Sequence, residues 1–136
     1  MLNNIAGMAE PVGAEELNPE AFAAFLERSR SDDDGPVVML NLLAMKPDGG
    51  FARYMEYGAA VAPILERIGG ERLFTGTGSG ALIGAGDHEW DLVVLVRYPS
   101  RAAFLEMIGS PDYQAIAHLR TEALAASELH PLEAAD

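Results

Sequence analysis

The sequence predicts a single α+β domain in which helices cover one face of a four-stranded antiparallel sheet. Three observations predict this fold class. The chain has 136 residues, 49% of them hydrophobic, which suits one domain with its own core. From residue 36 onwards, segments with strand and helix periodicity follow one another in the order βαββααβ. The strands are apolar on both faces, which predicts that a second subunit packs on the sheet.

The chain begins with an N-terminal extension, predicted at residues 1–35, ahead of the domain at residues 36–136. Residues 1–16 show no periodicity. Asn18, Pro19 and Glu20 supply an N-cap, a first helical residue and an acid in the first turn. A short helix is therefore predicted at about residues 19–30.

The first half of the domain predicts a strand followed by a long helix. The strand, residues 37–43, is apolar except for Asn41. The helix, about residues 51–68, has an apolar stripe at helical spacing. Pro63 is expected to bend this helix because proline removes one hydrogen bond.

The second half predicts three strands and two helices, and its strongest strand signal is Trp90 to Tyr98. Ser100 and Ser110 are the expected N-caps of the two helices. The predicted elements are strands at residues 72–83, 90–98 and 127–132, and helices at about residues 101–109 and 111–125. With right-handed crossovers this order gives a split-βαβ sheet.

Composition limits the class of protein. The net charge is −12, which disfavours nucleic acid and anionic lipid as partners. The absence of cysteine excludes disulfides and thiolate metal sites. The N-terminus lacks a basic region, and no apolar segment is long enough to span a bilayer. We therefore expect a soluble, cytoplasmic protein.

The double-sided apolar strands predict a homodimer, because a monomer would leave an apolar sheet face in water. Val93 and Leu95 lie on the face of their strand opposite to Leu92, Val94 and Val96. A second copy packed on this face gives a two-fold dimer. The alternative is that the N-terminal helix covers it.

Polar groups among apolar ones are the candidate ligand-binding residues, because their burial is costly unless they are paired. Asn41, Asp91 and Arg97 are expected close together, since the first and third strands are neighbours in a split-βαβ sheet. They form either a ligand site or a structural network.

The helices add further candidates. Tyr54, Tyr57 and Tyr113 are expected to line a pocket between helices and sheet. Arg120 falls in an apolar stripe, and a structural ion pair with Asp91 is predicted.

His118 is the best-placed histidine for proton transfer or, less favourably, for haem ligation. His88 and His130 are too distant in sequence from it for a metal spacing, so no metal or other cofactor is predicted.

Four segments of the sequence together resemble the DUF1330 family of dimeric α/β-barrel proteins. They are PVVMLNLL at 36–43, YMEY at 54–57, WD to RYPS at 90–100 and SPDYQ to HLR at 110–120. The resemblance covers about residues 36–130 and implies two ferredoxin-like subunits whose sheets meet in a barrel. It implies no activity, and the wider superfamily includes cofactor-free monooxygenases, isomerases, lyases and haem enzymes.

Two functional hypotheses follow. In the first, the dimer binds a small organic molecule, as a binding protein or a cofactor-free enzyme. Asn41 and Arg97 would hold a carbonyl or carboxylate, and His118 would carry a proton. In the second, the dimer is a non-catalytic structural or interaction module. A haem enzyme is a weaker third hypothesis.

Overall fold

The computed structural model describes residues 17–87 and 89–135. Residues 1–16 of the predicted extension and His88 lie outside the described residues. The described elements are, in order, α1 (Pro19–Ser29), β1 (Val37–Met45), α2 (Gly50–Arg67), β2 (Glu71–Thr77), β3 (Leu92–Tyr98), α3 (Arg101–Gly109), α4 (Pro111–Ala123) and β4 (Leu124–Leu132).

The strands form one antiparallel sheet in the order β2-β3-β1-β4. This is the split-βαβ, ferredoxin-like arrangement, so the predicted fold class is confirmed. The central pair aligns Met39 with Val96 and Asn41 with Val94. The predicted neighbourhood of the first and third strands is therefore correct.

Three helices start at the caps that the sequence predicts. The Asn18 side chain accepts a hydrogen bond from the Ala21 amide at 3.1 Å. Ser100 accepts one from Ala103 at 3.0 Å, and Ser110 opens α4 just before Pro111. Each side-chain oxygen satisfies an amide that has no partner within its helix.

Two predicted strand boundaries differ from the observed ones by more than two residues. The second strand ends at Thr77 rather than near residue 83. Gly78 passes so close to the residues before β3 that a Cβ there would lie 2.2 Å from the Trp90 carbonyl oxygen. Gly84 and Gly86 then take positive φ angles, which turn the chain away from the sheet. The last strand starts at Leu124, because α4 ends earlier than predicted.

The N-terminal helix lies on the helical side of the sheet. The Phe25 and Phe104 rings meet edge to face with centroids 5.7 Å apart, and Phe104 packs in turn on Tyr98 at 5.1 Å. Tyr98 shares its strand face with Val96. The alternative that this helix covers the opposite face of the sheet is therefore wrong.

No helix in residues 17–87 and 89–135 is both long and apolar enough to cross a membrane.

Candidate functional site

The long helix α2 forms one wall of the site, and its start is fixed by close packing. Gly50 lies against the end of α4, where a Cβ would come within 2.6 Å of the Ala123 carbonyl oxygen. That same oxygen accepts a hydrogen bond from the Lys46 amide at 2.9 Å. These contacts set α2 beside α4 and across the sheet.

A cavity of about 440 Å³ lies between α2 and strands β1 to β3. This volume is in the range of small-molecule binding sites. Its wall consists of Asn41, Tyr54, Met55, Tyr57, Gly58, Ala59, Val61, Ala62, Leu65, Arg72, Thr75, Leu92, Val94, Val96 and Tyr98. Small residues on α2 leave the space, and the strands supply most of the apolar surface.

The sheet contributes a short row of polar groups to this cavity. Asn41 and Thr75 lie on either side of Val94 in the register. The Asn41 amide nitrogen donates to the backbone oxygens of Val94 at 3.3 Å and Met39 at 3.4 Å. Among the described residues no donor contacts its side-chain oxygen, which leaves an acceptor for a ligand.

Three of the four tyrosines of the chain line the cavity, and the fourth, Tyr113, contacts Tyr57. The hydroxyls of Tyr57 and Tyr113 are hydrogen-bonded at 2.8 Å, with their rings edge to face. Tyr54 packs on Tyr57 at a centroid distance of 5.4 Å. No other described residue hydrogen-bonds the hydroxyls of Tyr54 and Tyr98, which both line the cavity.

Arg120 lies on α4 and is only 8% exposed. It forms no ion pair with any described residue. The predicted pair with Asp91 is wrong: Asp91 is exposed, and its carboxylate accepts a hydrogen bond from the Met45 amide at 2.7 Å. The guanidinium of Arg120 instead acts on the tyrosines, and its charge lowers the pKa of each of them.

Burial nevertheless dominates the state of these phenols. Removal from water raises the pKa of Tyr54, Tyr57, Tyr98 and Tyr113 above the usual value of about 10. All four are therefore neutral at physiological pH. They can donate hydrogen bonds to a ligand but cannot act as bases.

The structure brings together only part of the predicted site. Asn41, Tyr54 and Tyr57 line the cavity, and Tyr113 supports it through Tyr57.

Arg97 lies opposite Val38, whereas Asn41 lies three residues further along β1. Because side chains alternate along a strand, the two project from opposite faces of the sheet. The prediction that they jointly hold a ligand is wrong.

His118 is exposed on α4 and does not line the cavity. Its predicted role as proton carrier in the pocket is not supported, and its position does not suit a ligand to a haem buried there. The described residues contain no group of three His, Cys, Asp or Glu side chains placed to bind a metal ion.

The sequence analysis did not predict three residues with polar side chains that line the cavity: Arg72, Thr75 and Tyr98. Arg72 aligns with Val96 and Thr75 with Val94, because the register shifts between positions 72 and 74. Arg72 and Thr75 are three residues apart and would project from opposite faces of a regular strand. The bulge places both on the same face. Tyr98 follows the alternation of β3 and could have been found from it.

Known proteins resemble this chain in sequence and fold. A family described as a domain of unknown function, DUF1330, matches residues 50–129. A crystal structure of a protein of unknown function from Rhodopseudomonas palustris is 35% identical, with a TM-score of 0.76, over 91% of this chain and 98% of that one.

More distant structures share the fold. A dimeric ferredoxin-like protein of unknown function from Jannaschia sp. CCS1 is 15% identical, with a TM-score of 0.58, over 74% of this chain and all of that one. A protein provisionally assigned as an antibiotic biosynthesis monooxygenase, from Caulobacter crescentus CB15, is 17% identical, with a TM-score of 0.52, over 76% and 92% of the two chains.

No curated protein matches the chain. The family match covers more than half of the 136 residues, and the Rhodopseudomonas palustris protein aligns over nearly the whole chain. The chain therefore belongs to the DUF1330 family.

Proposed function

We propose that this protein is a homodimer that binds a small organic molecule in the cavity between α2 and the sheet of each subunit. The cavity of about 440 Å³ is the observation that carries this proposal. The cavity is open to solvent, since Met55, Ala59, Arg72 and Thr75 in its wall are exposed. A space of this size beneath a well-formed helix has the dimensions of a ligand site.

The cavity wall supports binding of a mainly apolar molecule with a polar head. Most of the wall is aliphatic or aromatic, and its polar groups are few. The hydroxyls of Tyr54 and Tyr98 and the side-chain oxygen of Asn41 have no described partner. Neutral phenols placed in this way can stabilise developing negative charge on a substrate oxygen. This chemistry needs no cofactor and is compatible with isomerase-, lyase- or monooxygenase-like catalysis.

The uncovered sheet face supports the dimer. It carries Val38, Leu40, Leu42, Phe74, Val93 and Leu95. Phe74 is 55% exposed, and a Cβ at Gly76 would meet its ring at 2.6 Å. The ring therefore lies along the strand as part of an apolar surface, the kind that subunit contacts cover. Proteins from Jannaschia sp. CCS1 and Thermobifida fusca YX with this fold are described as dimeric.

Filling the cavity tests the proposal. Gly58 lines it on α2, and a Cβ there meets only an Arg72 nitrogen, at 4.0 Å. Gly58→Leu should occupy the space, whereas the control Gly58→Ala adds only a methyl group. Both remove a helical glycine and should stabilise the helix by up to about 1 kcal/mol.

The measurement is saturation-transfer NMR with a set of small aromatic and aliphatic molecules, neutral and acidic. Wild type and Gly58→Ala should bind the same members, and Gly58→Leu should bind none while unfolding at an equal or higher temperature. Native mass spectrometry of each variant should show a dimer. Binding that survives Gly58→Leu, or a wild type that binds no member, would favour the structural hypothesis instead.

A further inference from the structure

The charge around the cavity is one-sided. Among the described residues, Arg72 is the charged residue of its wall, and no Asp or Glu lines it. Arg120 adds a second positive charge, which acts on the tyrosines. These two charges lie in a protein whose net charge is −12. The cavity is therefore an electropositive site in an acidic chain, and it attracts anions.

Arg120 is a buried cation without a carboxylate partner in the described chain. A buried charge is costly unless it is paired, and structural buried arginines are normally held by carboxylates. The other buried arginine, Arg101, follows that rule and faces Asp34 at 3.6 Å. The contrast indicates that Arg120 is kept for an anion that arrives from outside the chain.

The hydroxyls of Tyr54 and Tyr98 show where such an anion would lie. Buried tyrosine hydroxyls usually have a hydrogen-bond partner. Tyr57 and Tyr113 satisfy each other, but these two have no partner among the described residues. Among the described residues, Arg101 Nη1 is the only side-chain nitrogen or oxygen that is both fully buried and without a hydrogen bond. The unbonded hydroxyl oxygens of Tyr54 and Tyr98 are therefore not fully buried, and a ligand in the cavity can reach them.

Tyr54 is the point where both arginines act. Burial raises its pKa, whereas the charges of Arg120 and Arg72 both lower it. The charges of both guanidinium groups therefore act on its hydroxyl, one from α4 and one from β2. A carboxylate oxygen that accepts a hydrogen bond from this hydroxyl would also be attracted by both arginine charges.

We infer that the cavity binds a small organic monocarboxylate, with its carboxylate at the hydroxyls of Tyr54 and Tyr98 and its apolar body between α2 and β3. This inference rests on the proposed function and specifies its ligand class. A phosphate is a poorer fit, because it needs more donors. The cavity residues of α2 begin at Tyr54, beyond the free amides of the first turn.

Calorimetric titration with phenylacetate and phenylacetamide tests the inference, because the two molecules have nearly the same shape and differ in charge. Phenylacetate should bind about tenfold more tightly, the difference expected of a hydrogen bond to a charged group. Arg120→Gln should lower the ratio of the two affinities from about ten to about one. Circular dichroism would establish that this variant is folded.

Arg72→Gln keeps the test decisive if Arg120→Gln does not fold, since Arg72 is exposed on β2. It should weaken phenylacetate binding about threefold, because solvent screens a charge there. The matched control is Arg53→Gln, which changes the net charge equally but lies outside the cavity and pairs with Glu56 and Glu122. It should bind both probes as the wild type does.

Equal affinity for the two probes, or an equal effect of Arg53→Gln and Arg72→Gln, would overturn the anion inference and leave the binding function standing. Failure of every small molecule to bind, neutral or acidic, would overturn both.

Discussion

The contact between Asp34 and Arg101 ties the segment before β1 to the helical layer, and its removal should be strongly destabilising. The Asp34 carboxylate accepts hydrogen bonds from the backbone amides of Arg101 at 2.8 Å and Ala102 at 3.1 Å. It also faces the Arg101 guanidinium at 3.6 Å, with side-chain exposures of 9% and 8%. One carboxylate thus caps α3 and balances a buried charge.

Capping of α3 and pairing with Arg101 each contribute to the free energy of unfolding, and the two contributions can be estimated separately. Loss of an N-terminal capping group costs about 1 kcal/mol. A buried charge left without its partner costs about 3 kcal/mol or more. Glu133 lies 3.8 Å from Arg101 but is half exposed, so it compensates only in part. We expect Asp34→Ala to lower the free energy of unfolding by about 3 to 4 kcal/mol.

Urea denaturation followed by circular dichroism measures this change. Asp34→Asn keeps a capping oxygen and should show mainly the charge term, about 2 to 3 kcal/mol. Asp33→Asn is the neighbouring control, since its side chain is exposed, and should change stability by less than about 0.5 kcal/mol. The double variant with Arg101→Met should recover much of the loss, because no buried charge is then unpaired. A loss below about 1 kcal/mol for Asp34→Ala would refute the reasoning.

Two further predictions concern the tyrosines and the sheet face. Burial raises the pKa of all four tyrosines, so stability is complete below about pH 10, where unfolded tyrosine begins to ionise, and falls above it. Tyrosinate absorbance should therefore appear together with unfolding, and ionisation near pH 10 in a still-folded chain would contradict this burial. Leu40, which lies opposite Leu95 on the open face, should hold the dimer together. Leu40→Asp should give a monomer by light scattering, because each lost leucine contact costs about 2 kcal/mol before the charge is counted. Leu82→Asp, at a position 98% exposed, should stay dimeric, and a dimeric Leu40→Asp would exclude this face as the interface.

The fold could be predicted because its signals are local. The caps at Asn18 and Ser100 and the strand residues Leu92 to Tyr98 specify elements with little help from distant contacts. The split-βαβ order then leaves few ways to pair the strands. The missed boundaries depend on non-local contacts, such as the approach of Gly78 to Trp90.

The site was predicted less well because it depends on geometry between elements. Asn41 and Arg97 do lie on neighbouring strands, as predicted, but their side chains project from opposite faces of the sheet. The bulge that brings Arg72 and Thr75 to one face has no sequence signal in this chain beyond the neighbouring glycines. Arg120 was expected to be buried, and it is. The sequence predicts Asp91 as its partner because buried charges are normally paired, but Asp91 accepts a hydrogen bond from the Met45 amide instead.

The tyrosines are the groups on which the charge of Arg120 acts in place of a carboxylate, and they support the proposed binding site. They come from three elements: Tyr54 and Tyr57 from α2, Tyr98 from β3 and Tyr113 from α4. These are all the tyrosines of the chain, and the charge of one buried arginine, Arg120, acts on all four. A core that needed only apolar volume would be served by leucine or phenylalanine without unpaired hydroxyls. Burying hydroxyls and a charge without partners destabilises the empty protein. Such groups around an open cavity are typical of a binding site, because a bound ligand supplies the missing partners.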